Sequence, residues 1–319
     1  MRLIYRARET DETPAPSVTT VAEINEILEA LQSLQVMGDE TEGSWPPPEP
    51  DRERMNRVDP TSGRPSRPGA GLAPDVLAEL ESLATIDDEG QTSELLDKLA
   101  WYAPLHFAGK RWGIYIKEDA VIRLAGWICS HLADGQATDP EIAGEAIRSA
   151  LRTLYFHEVF HHCTESFAIR LELIEQKERY RTYHREVYQQ LSGGDEPLEE
   201  ALACADMVRR QTMERGMRLI SPAVRKATGK MLKAWIPDLP DGYRKGLEFE
   251  DHAKFNEAKN RLSALIQAGS SAQADDELWA MVAVHYRGGM FRPLGDCAKN
   301  TYLVASGPTP RLPGLISPT

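Results

Sequence analysis

The sequence contains His157-Glu158-Val159-Phe160-His161, two imidazoles four residues apart with a carboxylate beside the first. On a helix, residues four apart lie one above the other, so His157 and His161 can offer their rings to a single metal ion. Glu158 is turned about 100° from His157. That places it beside such an ion but outside the coordination shell, where it can take a proton from a water the metal activates. The chemistry this pattern supports is metal-assisted hydrolysis; the plainer reading is a helix that buries and satisfies two histidines. Ile147, Ala150, Leu151 and Leu154 form an apolar stripe that continues into His157, Glu158 and His161. Polar groups at core positions cost about 1 to 3 kcal/mol each when buried without a partner, and a bound cation offsets that cost.

Two imidazoles leave a catalytic zinc one protein ligand short, because such sites have three plus a water. The x-x-Gly-x-x-His continuation is missing, with Thr164 standing three beyond His161. A later Ala-rich segment carries Glu199 and Glu200 followed by Ala201-Leu202-Ala203-Cys204. Together with His157-Glu158-x-x-His161, this stretch resembles the gluzincin-type zinc metallopeptidases of the zincin fold, in a small intracellular, bacterial-type branch. The resemblance covers roughly residues 100 to 210. It implies that His157 and His161 bind Zn2+, that Glu200 is the third ligand and that Glu158 is the general base.

Glu199 is the alternative third ligand, since two neighbouring Glu cannot be phased from sequence, and His184 would make an all-His site. The Asp that thermolysin-like members carry four after the ligand Glu is replaced: Cys204 stands four after Glu200 and Ala203 four after Glu199. Asp206 is the candidate for supporting a histidine from behind. His162 faces away from His157 and is expected at the surface or in packing. In such peptidases a Tyr, His or Arg from a distant loop stabilises the oxyanion; His285, Tyr286 and Arg292 are the candidates here. The resemblance also implies an extended peptide substrate along an edge strand, for which Trp112 to Lys117 is the expected edge.

The elements that must position these residues follow from periodicity and punctuation. Asp139-Pro140-Glu141 is a helix start, and the metal helix that follows is expected to bend or break beyond Thr164, because helical propensity runs on to Leu191 and so long a single helix is unusual. Val76–Leu83, Ser93–Trp101, Asp119 to Leu132, Glu196 to Val208, Phe255 to Ile266 and Glu277 to Tyr286 read as further helices. Leu105-His106-Phe107 and Trp112–Lys117, separated by a Gly-containing turn, read as a β-hairpin. Met290–Leu294 and Thr301–Val304 read as strands that could extend its sheet. The small residues Ala201, Ala203, Cys204 and Ala205 would let their helix approach a neighbour closely. The fold expected is α+β and mostly helical: a zincin-like core with a small antiparallel sheet on the metal helix, plus a helical C-terminal region.

Residues 1–43 read as an acidic N-terminal arm with one helix, Ala22 to Leu34. Residues 44–75 read as a Pro-rich, disordered linker, since eight of the 21 prolines fall between Ser44 and Asp75. Residues 76–319 read as the metallopeptidase domain. The arm invites a regulatory partner. A formal charge of −12 argues against nucleic acid, which needs a basic patch. The chain shows neither a signal peptide nor a run of about 18 to 20 apolar residues able to span a membrane, so it is expected in the cytoplasm. The four scattered cysteines, Cys129, Cys163, Cys204 and Cys297, are expected to be reduced and mostly buried. The function expected is peptide-bond hydrolysis; the alternative is a non-catalytic regulatory or interaction protein with a structural metal site.

Overall fold

The structure is a computed structural model and describes residues 21–33, 55–61, 72–85, 99–133, 139–189, 198–213, 220–269, 290–307 and 310–312. It is mostly helical with one four-stranded sheet. None of the described helices is long and apolar enough to cross a membrane. In chain order the elements are α1 (Val21–Ser33), β1 (Met55–Arg57), α2 (Pro74–Ala84), β2 (Ala100–Ala103), the short α3 (Leu105–Ala108), β3 (Gly113–Lys117), α4 (Glu118–Ser130), α5 (Pro140–Glu175), the short α6 (Tyr180–Tyr183), a π-helical turn (His184–Tyr188), α7 (Leu198–Met213), α8 (Pro222–Trp235), α9 (His252–Ala268) and β4 (Thr301–Val304).

The scaffold is built on α5. Asp139 caps it, accepting the Glu141 N–H at 2.8 Å, with Pro140 at its first position. It runs for 36 residues to Glu175, and a break beyond Thr164 follows as expected. The break comes at Gln176, in the left-handed region at φ 53, whose N–H returns to the Glu172 carbonyl. Burial on several sides accounts for this length. Helices α4, α7 and α8 and strands β2 and β3 all pack on α5, and tertiary packing supplies the stability that propensity alone would not. One apolar cluster gathers Ile122, Ile128, Ile147, Leu151 and Leu154. Another gathers Phe160, Phe167 and Leu171 with Tyr183, Leu202 and Phe255.

The sheet has strand order β1-β4-β3-β2 and is mixed, not antiparallel as expected. β3 pairs antiparallel with β2 but parallel with β4, and β1 pairs antiparallel with β4. The parallel pair arises because β4 returns from the far end of the chain, after all the helices, which is the long crossover that parallel neighbours require. Thr301–Val304 thus extends the sheet as expected, whereas Met290–Leu294 forms no strand. The expected hairpin is shifted. Trp101 faces Tyr115 and Ala103 faces Gly113, so the partner of β3 is Ala100–Ala103. Leu105–Ala108 is a helical turn whose Phe107 and Ala108 N–H groups bond to the Pro104 carbonyl. Trp112 to Lys117 is not an edge, because β3 is flanked on both sides. Side chains alternate across the sheet: Ile114, Ile116 and Leu303 join the main core, while Trp101, Tyr115 and Tyr302 stack in a row on the other face, with the Arg57 guanidinium over Tyr302.

The stretch expected to be a disordered linker contains β1, and Val58 just after it is buried. Arg152 on α5 donates to the Pro60 carbonyl at 2.7 Å. Prolines flank this strand but none lies within it, so its N–H groups remain free to pair. The arm helix also joins the body, with Leu28 and Leu31 in the main core. The expected helix at Glu277 to Tyr286 lies outside the described residues.

Candidate metal centre

Helix α5 carries His157 and His161 one turn apart, and α7 brings Glu199 and Glu200 against them. His157 Nε2 and His161 Nε2 are 3.3 Å apart. Glu200 Oε2 lies 3.3 Å from the first and 3.5 Å from the second. Three donor atoms thus converge on one point, the group among the described residues that could hold a metal ion. Donors about 2.0 to 2.2 Å from a tetrahedral zinc stand roughly 3.3 to 3.6 Å from one another, so this triangle has the size zinc requires. Glu200 Oε2 is moreover buried with no hydrogen-bond partner. A buried carboxylate oxygen 3.3 and 3.5 Å from two imidazole nitrogens is placed to share a cation with them.

Electrostatics agree. Burial pushes the Glu200 carboxyl up, but the charges of His161 and His157 outweigh this and hold it well below the usual carboxylate range. Burial pulls His161 down, yet the Glu200 charge and the Glu199 hydrogen bond raise it well above the ordinary histidine value. A dication arriving here displaces protons from the imidazoles.

Glu200 stands with His157 and His161 in this geometry, and Glu199 takes a different place. Its Oε1 lies 2.8 Å from His161 Nδ1, behind the ring, while its Oε2 accepts from the Tyr183 hydroxyl at 2.8 Å. A carboxylate on Nδ1 fixes the tautomer that leaves Nε2 free to bind. Behind His157 stands Cys204, its Sγ 3.9 Å from Nδ1; the Cys four after Glu200 thus fills the supporting role. Asp206 does not, pairing instead with Arg210 at 2.6 Å. Tyr243 stacks on the His157 ring at 5.9 Å. Glu158 is 3% exposed, and the His161 side chain 12%, so the trio is nearly enclosed with a slight opening at His161.

The remaining candidates lie elsewhere. His162 is fully buried, not at the surface. It stacks on Trp112 at 5.0 Å, its Nε2 meets the Leu294 carbonyl at 2.8 Å, and burial lowers its pKa to about 4. His184 is half-buried and stacks on Tyr188, outside the trio. Arg292 is exposed, its carbonyl accepting from Arg170. His285 and Tyr286 lie outside the described residues. None of the four cysteines forms a disulfide, and all are buried.

Sequence reasoning missed Tyr183, Tyr188 and Tyr243. The first two are five residues apart, a spacing that puts them on different faces of an α-helix, so periodicity offered no signal. Comparison with family models, curated proteins and solved structures finds no match for this chain.

Proposed function

We propose that the chain is a zinc-dependent peptidase with a zincin-like core, in which His157, His161 and Glu200 hold the metal and Glu158 is the general base. The observation that carries this reading is the triangle of donors, 3.3, 3.3 and 3.5 Å on its sides, around an unpartnered carboxylate oxygen. Zinc, when bound, supplies a Lewis acid that polarises a carbonyl and makes water acidic near neutral pH. The protein's own groups do the rest. Glu158 takes the proton from the attacking water and delivers it to the leaving amine. Glu199 and Cys204 hold the two imidazoles with their Nε2 atoms facing inward. A structural site would be closed by a fourth protein ligand, whereas the cluster among the described residues comprises three, the number of an open, catalytic site.

A protein or peptide substrate follows from the resemblance. With β3 internal, an extended segment would pair with a terminal strand, and β2 is the one that packs on the metal helix. A regulatory partner at the arm would meet the polar side of α1, where Glu26 and Glu29 are exposed.

Metal analysis tests the site itself. The purified chain should carry about one equivalent of zinc, lost in His157→Ala and His161→Ala, and Glu200→Ala should weaken zinc binding far more than Glu199→Ala. No transition metal after metal-replete expression would overturn the reading.

A further inference from the structure

We propose that Tyr188 is a positioning residue that makes Glu200 a one-oxygen ligand, and that the π-helical turn His184–Tyr188 is the device that places it. The proposal rests on the metal reading above and extends it to residues on neither ligand helix.

Each of the two neighbouring carboxylates is divided in the same way. Glu199 gives Oε1 to His161 Nδ1 and Oε2 to the Tyr183 hydroxyl, 2.8 Å away. Glu200 gives Oε1 to the Tyr188 hydroxyl, 2.5 Å away, and keeps Oε2 for the space between the imidazoles. One phenol therefore holds each carboxylate by the oxygen that is not in use at the site. A carboxylate on a metal can bind through one oxygen or through both, and an oxygen already accepting a short hydrogen bond is withheld from the ion.

The backbone of this segment suits two phenols five residues apart to adjacent carboxylates. In an α-helix, residues five apart point about 140° away from each other, so Tyr183 and Tyr188 would diverge. In this segment the Gln189 N–H reaches back five residues to the His184 carbonyl. That wider turn brings positions five apart nearly into line, as π turns do at functional sites. The segment starts from a fixed point. Glu172 Oε1 accepts the N–H groups of Arg179 and Tyr180 at 2.7 and 2.9 Å, while its Oε2 is held by His106 Nε2 at 2.8 Å. Tyr183 is buried, and the Tyr188 ring is braced on His184 at 5.2 Å, nearly parallel. Removing only the Tyr188 hydroxyl would leave that stacking in place and free the second Glu200 oxygen.

Cobalt(II) in place of zinc reports the coordination number through its visible absorption, intense for four ligands and weak for five. Wild type should give the intense band. Tyr188→Phe should give a weaker band, because Glu200 now binds through both oxygens, and should lose metal affinity by about 10- to 100-fold, as is usual when a group supporting a ligand is removed. Tyr183→Phe should lose affinity but keep the intense band, since Glu199 is not a ligand. Thermal unfolding of the metal-free variants separates misfolding from mispositioning. An unchanged band and affinity in a folded Tyr188→Phe overturns the proposal. So does a weak band in wild type, which tests the one-oxygen claim even if the variant fails to fold; in both cases the metal reading survives. Absence of cobalt and zinc binding by wild type overturns the metal reading and this proposal together.

Discussion

A histidine away from the metal centre shows how strongly single residues are committed in this protein. His106 is fully buried between two carboxylates, with Nδ1 2.6 Å from Glu165 and Nε2 2.8 Å from Glu172. Burial alone would lower its pKa, but the Glu172 and Glu165 carboxylates reverse this and raise it to about 10. A folded value above the ordinary 6.5 means that the stability His106 contributes is fully present below that pH and is lost as pH rises through about 10. The Glu165 carboxyl, which its own burial pushes up, is held below its usual value by His106 and Tyr102, so its contribution is present above pH 4.5 and lost on acidification. His106→Ala should therefore cost about 3 to 5 kcal/mol, since removing one partner strands buried charge. The melting temperature of wild type should fall between pH 7 and pH 10 by more than that of the variant. Denaturant and thermal unfolding check both, and a variant that melts like wild type at pH 7 would contradict the assignment. His157 and His161 were legible in sequence because their spacing is local to one helix, whereas Glu200, on a later helix, came only from the resemblance. His106 was not, because its partners lie 59 and 66 positions away.

At the level of elements, α7 matters because it brings Glu199 and Glu200 to α5. Its small residues allow a close approach, as their types suggested, although one neighbour is the 3-10 segment Tyr243–Phe249 rather than a helix. A Cβ on Gly246 of that segment would come 2.5 Å from Cys204 Cβ and 3.1 Å from the Ala201 carbonyl oxygen. Backbone cannot yield as a flexible side chain can, so Gly246→Ala should destabilise by about 1 to 3 kcal/mol through overpacking. Because α7 must shift to relieve the clash, zinc affinity should fall as well. Melting and zinc competition measure the two effects, and an unchanged melting temperature would show that the contact yields freely. Sequence patterning located most of the helices because periodicity and caps are local. It placed the end of α5 only somewhere beyond Thr164, because the burial on several sides that carries the helix on to Glu175 is a tertiary property.

In the whole molecule, segments from early and late in the sequence meet in the sheet. β4 comes from beyond residue 300 and lies beside β3, and β1 comes from a proline-rich stretch and completes the sheet. After β4, the Arg311 and Leu312 N–H groups bond to Glu118 at 2.6 and 2.7 Å, tying the chain to the start of α4. None of these long-range pairings leaves a mark in local composition, which is why the stretch around β1 reads as linker. The proposed function makes this scaffold one for hydrolysis rather than for metal storage or structure, and substitution of Glu158 separates the two. Glu158→Gln removes the base while leaving His157, His161 and Glu200 in place, so zinc content and melting temperature should stay close to wild type. Loss of a general base costs about 10² to 10⁴ in rate, with the upper end expected for a group that also delivers the proton to the leaving amine. Protein termini should be compared across cells expressing wild type or Glu158→Gln. New termini present with wild type and absent with the variant are the predicted result; identical termini from two zinc-bound proteins that rescue a deletion equally would contradict it.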